Sequence, residues 1–326
     1  MTKNNTPQSD QAPANDDEDA YPNSRRGRFR RRAMKPISAT PTLLTLANLV
    51  CGFAAIHFAS KPVDTSSIFQ WSTLTVAGSL IFLGMFFDAI DGSVARLTRS
   101  TSDLGAQLDS LCDVVTFGVA PAYLMLRLVG YYYVGPGADA PPMEDFLAPD
   151  GDSLYGKTVW AISAFYICCA ALRLARFNAE VESSEESDHR YFRGLPTPGA
   201  AGVIASLIIL HQHLLFTKTG ASDSITIARL SALAFPFLTV VCGLAMVSSI
   251  PYPHVVNQYL RRQRDFGSLL RVVLPVVAAI WFLQATLAFV CTTYAFTGPF
   301  KILILKFRRR TQPTMASGDE PREDHN

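Results

Sequence analysis

Asp88-Ala89-Ile90-Asp91-Gly92-Ser93-Val94-Ala95-Arg96 closes an apolar segment that begins near residue 72, and Gly105, Asp109 and Asp113 open the next one. On insertion scales a carboxylate at the centre of a membrane-crossing helix costs about 2.5–3.5 kcal/mol. Carboxylates at such depth face a protein interior or a water-filled cavity, and they have partners. Asp88, Asp91, Asp109 and Asp113 together with Arg96 leave a large negative excess, so simple ion pairing does not account for them. A divalent cation beside a phosphate does. A proton or cation pathway through a transporter is the competing reading of the charge alone.

Residues three and four apart share one face of a helix. By that rule Asp88, Asp91, Gly92, Ala95 and Arg96 lie on one arc, and Gly105, Asp109 and Asp113 lie on one arc of the next helix. The linker between the two segments is short and polar, so the helices are antiparallel neighbours whose polar faces can meet at one end. Mg²⁺ and Mn²⁺ take hard oxygen ligands, which carboxylates supply. A pair of such ions can clamp the attacking and leaving oxygens of a phosphoryl transfer. Gly92, Ala95 and Gly105 have little or no side chain, so a bulky ligand can approach the backbone there. Arg96 offers a planar fork to phosphate oxygens. Asp113 need not bind metal; a carboxylate there could instead take a proton from an attacking hydroxyl.

The rest of the chain agrees with a membrane setting. Its 326 residues are 49% hydrophobic and 17% charged, with a mean hydropathy of +0.18. The apolar residues gather in long runs between short polar loops, and many of the charges lie in the two tails. Spans are expected near 41–60, 72–97, 106–130, 157–179, 198–217 and 226–250. A last apolar region, 269–305, is long for one span of ~20 residues. Arginines before the first span, at 96 and 99, around 173–193 and at 261–271 mark cytoplasmic loops. The tail beginning Lys306-Phe307-Arg308-Arg309-Arg310 is cytoplasmic by the same rule. Both ends inside require an even number of spans. The expectation is therefore an all-α, polytopic bundle of about eight helices, the last two forming a tight hairpin.

The expected division is a disordered polar tail over 1–37, a transmembrane domain over 38–255, a hairpin over 256–307 and a second disordered tail over 308–326. The first 24 residues are too polar and acidic for a signal peptide, and the run Arg25–Arg32 acts first as a topology signal, with anionic headgroups as a further partner. The six cysteines all fall in apolar segments without a CxxC pair, so they read as small hydrophobes. His211 and His213 point to different helix faces and do not form a metal pair.

The spacing Asp88-x2-Asp91-Gly92-x2-Ala95-Arg96-x8-Gly105-x3-Asp109-x3-Asp113 resembles the full motif of the CDP-alcohol phosphotransferases, with every position in agreement. The resemblance implies a six-helix core around a polar cavity, a homodimer and two divalent ions, Mg²⁺ or Mn²⁺. It implies that Asp88, Asp91 and Asp109 hold metal, and that Asp113 acts as ligand or base. It places a nucleotide and diphosphate near Asp88, Gly92, Ala95, Arg96 and Gly105.

Further runs resemble the bacterial, membrane-integral, serine-accepting branch of that family. They are Pro41–Gly52, Asp109–Ala122, Ala171-Leu172-Arg173-Leu174-Ala175-Arg176-Phe177-Asn178 and Phe192–Ala201. The branch implies phosphatidyl transfer from CDP-diacylglycerol to L-serine in the bacterial cytoplasmic membrane, with both termini and the site on the cytoplasmic side and no nucleic-acid partner. Acceptors such as glycerol 3-phosphate, an inositol phosphate or choline mark other branches. Arg173 and Arg176 share a face at the end of the fourth span. They read either as positive-inside anchors or, with Asn178, as contacts for a lipid phosphate or the serine carboxylate. Asn48 is a lone amide in an apolar segment; it reaches either the nucleotide and metal site or a neighbouring helix. Gly194-Leu195-Pro196-Thr197-Pro198 reads as a helix-entry turn.

Overall fold

A computed structural model describes residues 39–63, 71–98, 103–134, 149–183, 191–216, 222–253, 277 and 282–311. Helix α1 (Ala39–Ser60) packs lengthwise on α2 (Thr73–Thr98). Helix α3 (Asp103–Asp113) runs through a π-helical segment, Val114–Val119, into α4 (Ala120–Val134). Helix α5 (Leu154–Ser183) follows, then α6 (Thr197–His211), which ends in a second π-helical segment, Gln212–Phe216. Helices α7 (Ser222–Ala232) and α8 (Ala234–Val247) are one apolar run broken at Leu233. Pro236 sits three residues into α8, where it has no N–H to give the turn before it. All six expected spans up to residue 250 are thus helical. Among the described residues, five helices are long and apolar enough to cross a membrane: Thr42–Ser60, Thr73–Val94, Leu104–Val134, Leu154–Ala179 and Thr226–Val247.

The last apolar region differs in detail from expectation. Helix α9 (Leu283–Thr311) runs unbroken for 29 residues with Pro299 inside it, so no hairpin turn lies between 283 and 311. The first arm of the expected hairpin falls in 254–281, almost all outside the described residues. So do the expected tail over 1–37, the Arg25–Arg32 run, and Arg99, Arg190, Arg261, Arg262, Arg264 and Arg271; of the expected tail over 308–326, residues 308–311 continue α9 and the rest lies outside the described residues.

A buried core runs through the middle of the bundle and includes Leu74, Ile81, Phe117, Leu124, Met125, Leu128, Tyr166, Ile204 and Ile208. Large apolar side chains such as Leu43, Phe53, Phe86, Leu172, Phe237 and Phe289 point outward. That inversion of the soluble pattern is what a lipid-facing surface requires. At the bundle's rim, Tyr191–Arg193 (β1) pairs antiparallel with Pro251–Pro253 (β2) in a two-stranded clasp. Gly194 follows it at φ 85°, a conformation glycine adopts without strain. Its N–H donates to Ile250 O at 2.8 Å, and Leu195 N–H donates to Ala245 O at 2.9 Å. The helix-entry turn is therefore tied to the end of α8, and Pro198 in the first turn of α6 completes it.

Helix α9 lies along α6. A Cβ on Gly199 would meet the Tyr294 ring at 3.0 Å, and one on Gly202 would meet Cys291 Sγ at 3.3 Å. Tyr252 of the clasp donates its hydroxyl to Ala295 O at 3.2 Å and presses on Gly298. At the opposite end of α1, Arg127 of α4 donates to the carbonyls of Ala59, Ser60 and Lys61 at 2.9, 3.0 and 3.3 Å. It caps a helix C-terminus, where a cation also meets the negative end of the helix dipole.

Candidate active site

The aspartates meet where α1, α2 and α3 converge. Asp88 and Asp91 are three apart on the last turns of α2, and Asp109 and Asp113 are four apart on α3. One carboxylate oxygen each from Asp88, Asp91 and Asp109 lies within 4.8 Å of the others. Asp91 and Asp113 are buried; Asp88 and Asp109 are half-buried.

Helix α1 supplies two side chains that the aspartates need. Thr45 donates its hydroxyl to Asp91 Oδ2 at 2.9 Å, and Asn48 Nδ2 donates to Asp113 Oδ1 at 3.0 Å. Thr45 and Asn48 are three apart, so one face of α1 serves both carboxylates. Of the two readings of Asn48, the structure shows the bond to a neighbouring helix, where the acceptor is the site's own Asp113. Thr45 escaped the sequence reading, although its spacing from Asn48 was the available signal.

The donor set fits a divalent cation. Three carboxylates held this close repel one another unless positive charge lies between them. Asp109 Oδ1 is buried and accepts no hydrogen bond among the described residues, a position that suits a metal ligand. Asp113 stands outside the group of three, although Asp88 and Asp109 act on it electrostatically. The space beside the cluster is open. Among the described residues, a Cβ on Gly92 would meet nothing within 4 Å, so their packing does not require a glycine there and leaves room for a ligand. Helix α2 continues through Ala95 and Arg96, one turn beyond Asp91 and Gly92, but their side chains lie outside the described residues. Gly105 is half-buried in the first turn of α3, one turn before Asp109.

A sequence profile for the CDP-alcohol phosphatidyltransferase family matches residues 38–244. The chain belongs to that family. Its aspartate motif and the helices that carry it all fall inside the matched segment. Among curated relatives, a Helicobacter pylori CDP-diacylglycerol–serine O-phosphatidyltransferase is 32% identical over 68% of this chain and 74% of its own length. The Methanocaldococcus jannaschii protein of the same name is 30% identical over 69% of this chain and 79% of its own length. The Bacillus subtilis one is 29% identical over 66% of this chain and 89% of its own length. This family member is thus a membrane-embedded transferase of phospholipid synthesis with a polytopic helical bundle.

The outer residues of this phosphatidyltransferase are placed differently from the aspartates. Asn178 Nδ2 donates to Ser110 Oγ at 2.9 Å, so its amide ties α5 to α3 one residue past Asp109. The same amide is the group expected, with Arg173 and Arg176, to meet a lipid phosphate or the serine carboxylate. Arg173 is buried, and its Nε donates to Leu195 O in the helix-entry turn. Arg176 is half-buried one turn further on. His211 bonds Ser231 Oγ at 2.9 Å inside the bundle, with Tyr132 and Phe235 packed edge-on against its ring.

Proposed function

We propose that this phosphatidyltransferase moves the phosphatidyl group of CDP-diacylglycerol to the hydroxyl of L-serine, giving phosphatidylserine and CMP. The observation that carries this reading is the split of the four aspartates. Three converge within 4.8 Å, and the fourth, Asp113, stands beside them with one oxygen held by Asn48. The names of the relatives favour serine among acceptors.

Asp88, Asp91 and Asp109 would hold Mg²⁺ or Mn²⁺, as two ions in the family's manner. A bound ion supplies charge neutralisation at the diphosphate and at the departing CMP. Asp113, with its second oxygen unclaimed by Asn48, accepts the proton of the serine hydroxyl as that oxygen attacks the lipid-bearing phosphorus. The new O–P bond replaces the bond from that phosphorus to CMP, which leaves as the anion. Arg96 offsets diphosphate charge, and the short side chains of the Gly92, Ala95 and Gly105 positions leave the backbone within reach of the nucleotide. Thr45 keeps the Asp91 carboxylate turned toward the cluster. Arg173 and Arg176 remain the basic groups proposed for the lipid phosphate or serine carboxylate.

The proposed setting is the bacterial cytoplasmic membrane, with a homodimer of eight-span protomers. The site and both ends then face the cytosol. The domain comprises 38–255, flanked by a C-terminal hairpin over 256–307 and polar tails over 1–37 and 308–326.

Purified protein with CDP-diacylglycerol and Mn²⁺ or Mg²⁺ tests the reading through CMP release. Serine, glycerol 3-phosphate, inositol, inositol phosphate and choline are supplied separately. Release with serine alone, lost in Asp113→Asn, is expected. Release with another acceptor overturns the serine assignment and keeps the chemistry. A trapped phosphatidyl adduct on Asp113 overturns direct attack.

A further inference from the structure

Asp113 is the last residue of α3, and the backbone widens into the π-helical segment at the next residue. Such segments change the facing of side chains relative to an α-helix. Pro121 contributes to the irregularity, because it has no N–H for the carbonyl of Phe117 four residues back. Tyr166, fully buried on α5, donates its hydroxyl to that carbonyl at 3.1 Å.

Within this segment Thr116 lies one turn past Asp113 and is fully buried. Its hydroxyl donates to Asn48 O at 3.0 Å. Asn48 is therefore gripped at two points from one helix. Asp113 takes its side-chain amide and Thr116 takes its carbonyl. Two glycines make the grip possible. A Cβ on Gly52 would stand 2.8 Å from Thr116 Cα, and one on Gly84 would stand 2.6 Å from Thr116 Cγ2 and 2.8 Å from Asn48 Oδ1. A Cβ at Gly52 would force the Thr116 backbone to move, and one at Gly84 would displace the Thr116 and Asn48 side chains. Gly52 is one turn past Asn48 on α1, and Gly84 is one turn before Asp88 on α2. Three helices thus touch at Thr116, one turn beneath the three side chains Asn48, Asp88 and Asp113.

We propose that Thr116 is a positioning residue for the transfer. Wedged between Gly52 and Gly84, it holds Asn48 so that the Asn48 amide fixes one oxygen of Asp113 and turns the other toward the acceptor. It touches no substrate itself. The inference rests on the reading of Asp113 as the proton acceptor, and its test separates the two.

Thr116→Val keeps the branched shape and removes the hydroxyl; Thr116→Ser keeps the hydroxyl. In purified protein, kcat for CMP release in Thr116→Val should fall about 10- to 100-fold, the usual range for a residue that orients a reacting group. KM for CDP-diacylglycerol should stay within about threefold, since substrate contacts are untouched. Thr116→Ser should keep kcat within about threefold of the parent. Mn²⁺ binding without substrate, followed by electron paramagnetic resonance, should match the parent in both variants, because the three clustered aspartates are unaltered. In an Asn48→Ala background, Thr116→Val should cost nothing further, as expected for residues acting as one unit.

Parent-like kcat in Thr116→Val overturns the proposal. So does an equal loss in Thr116→Ser, which would assign the effect to packing, or an additive loss in the Asn48→Ala background. If Thr116→Val does not fold in detergent, Thr116→Cys, similar in size and only a weak donor, carries the same expectation. Full activity in Asp113→Asn would instead sink the underlying reading of the base, whatever Thr116 does.

Discussion

Among the described residues, the buried polar groups around His211 and those around Asp109 are built on opposite plans. Around His211 every group is neutral or peripheral, and the chain supplies most partners itself. His211 Nε2 meets Ser231 Oγ at 2.9 Å, Gln212 Nε2 meets Tyr132 OH at 3.5 Å, and Arg229 Nε donates to Tyr132 O at 3.1 Å. His211 Nδ1 and Gln212 Oε1 accept nothing, which costs about 1–3 kcal/mol for each neutral group. Around Asp109 like charges are concentrated instead, and helix α1 bonds only two of the four carboxylates, Asp91 and Asp113. A neutral network left slightly unsatisfied is compatible with a purely architectural part. Three carboxylates within 4.8 Å need a cation that the protein does not supply from its own described side chains. Polarity in the membrane does not by itself mark function; uncompensated charge of one sign does.

The contrast can be broken most severely at the cluster. Asp91→Asn, or chelation of divalent ions, should abolish CMP release. Restored Mn²⁺ or Mg²⁺ should rescue the chelated parent and leave the variant inactive. The same ions should raise the parent's melting temperature, by about 2.7 kcal/mol of stability at 100 times the dissociation constant, and should not raise that of Asp91→Asn. Asp113→Asn should lower kcat by about 10²–10⁴-fold, the usual contribution of a general base. It should leave the metal-induced stabilisation in place, which separates Asp113 from the other three.

Thr45→Val should cost about 10- to 100-fold in activity or metal affinity, as loss of a carboxylate's orienting bond usually does. His211→Ala should act in the other direction. It should lower stability by about 2 kcal/mol or more through the lost bond and the cavity, with kcat per folded molecule unchanged. A catalytic defect in folded His211→Ala would erase the distinction between the two regions. The smallest effect belongs to Asn178→Ala, about 1 kcal/mol of stability from the lost Ser110 bond, with at most a few-fold change in CMP release.

The aspartates were legible in the sequence because charge is conspicuous in an apolar run and because helical spacing sorts it onto faces. The helices of the first six expected spans were legible for the same reason, and among the described residues five of them are long and apolar enough to cross a membrane. Asn48 was visible as an isolated amide, but which helix it faced depended on how α1 packs. Thr45 offered only its spacing from Asn48 as a signal and Thr116 offered none, because hydroxyls inside helices usually bond their own backbone, as Thr239 does here with Phe235 O at 2.8 Å. Gly52 and Gly84 resemble any small residue of a membrane helix until the neighbour that fills their space is known. Arg173 and Asn178 were legible as polar groups at a helix end, but the acceptors Leu195 O and Ser110 come from tertiary contacts. The unbroken α9 was hidden by an apolar region long enough for two readings.

Helix α9 also bears on where this protein can be cut. The family-matched segment ends at residue 244, yet Tyr294 and Cys291 fill the groove that Gly199 and Gly202 leave along α6, and Tyr252 reaches across to Ala295. Trimming the chain to the shared segment would strip a cover from α6 and loosen the clasp beside Arg173. A shortened form that keeps this cover has to extend beyond the matched segment, through α9.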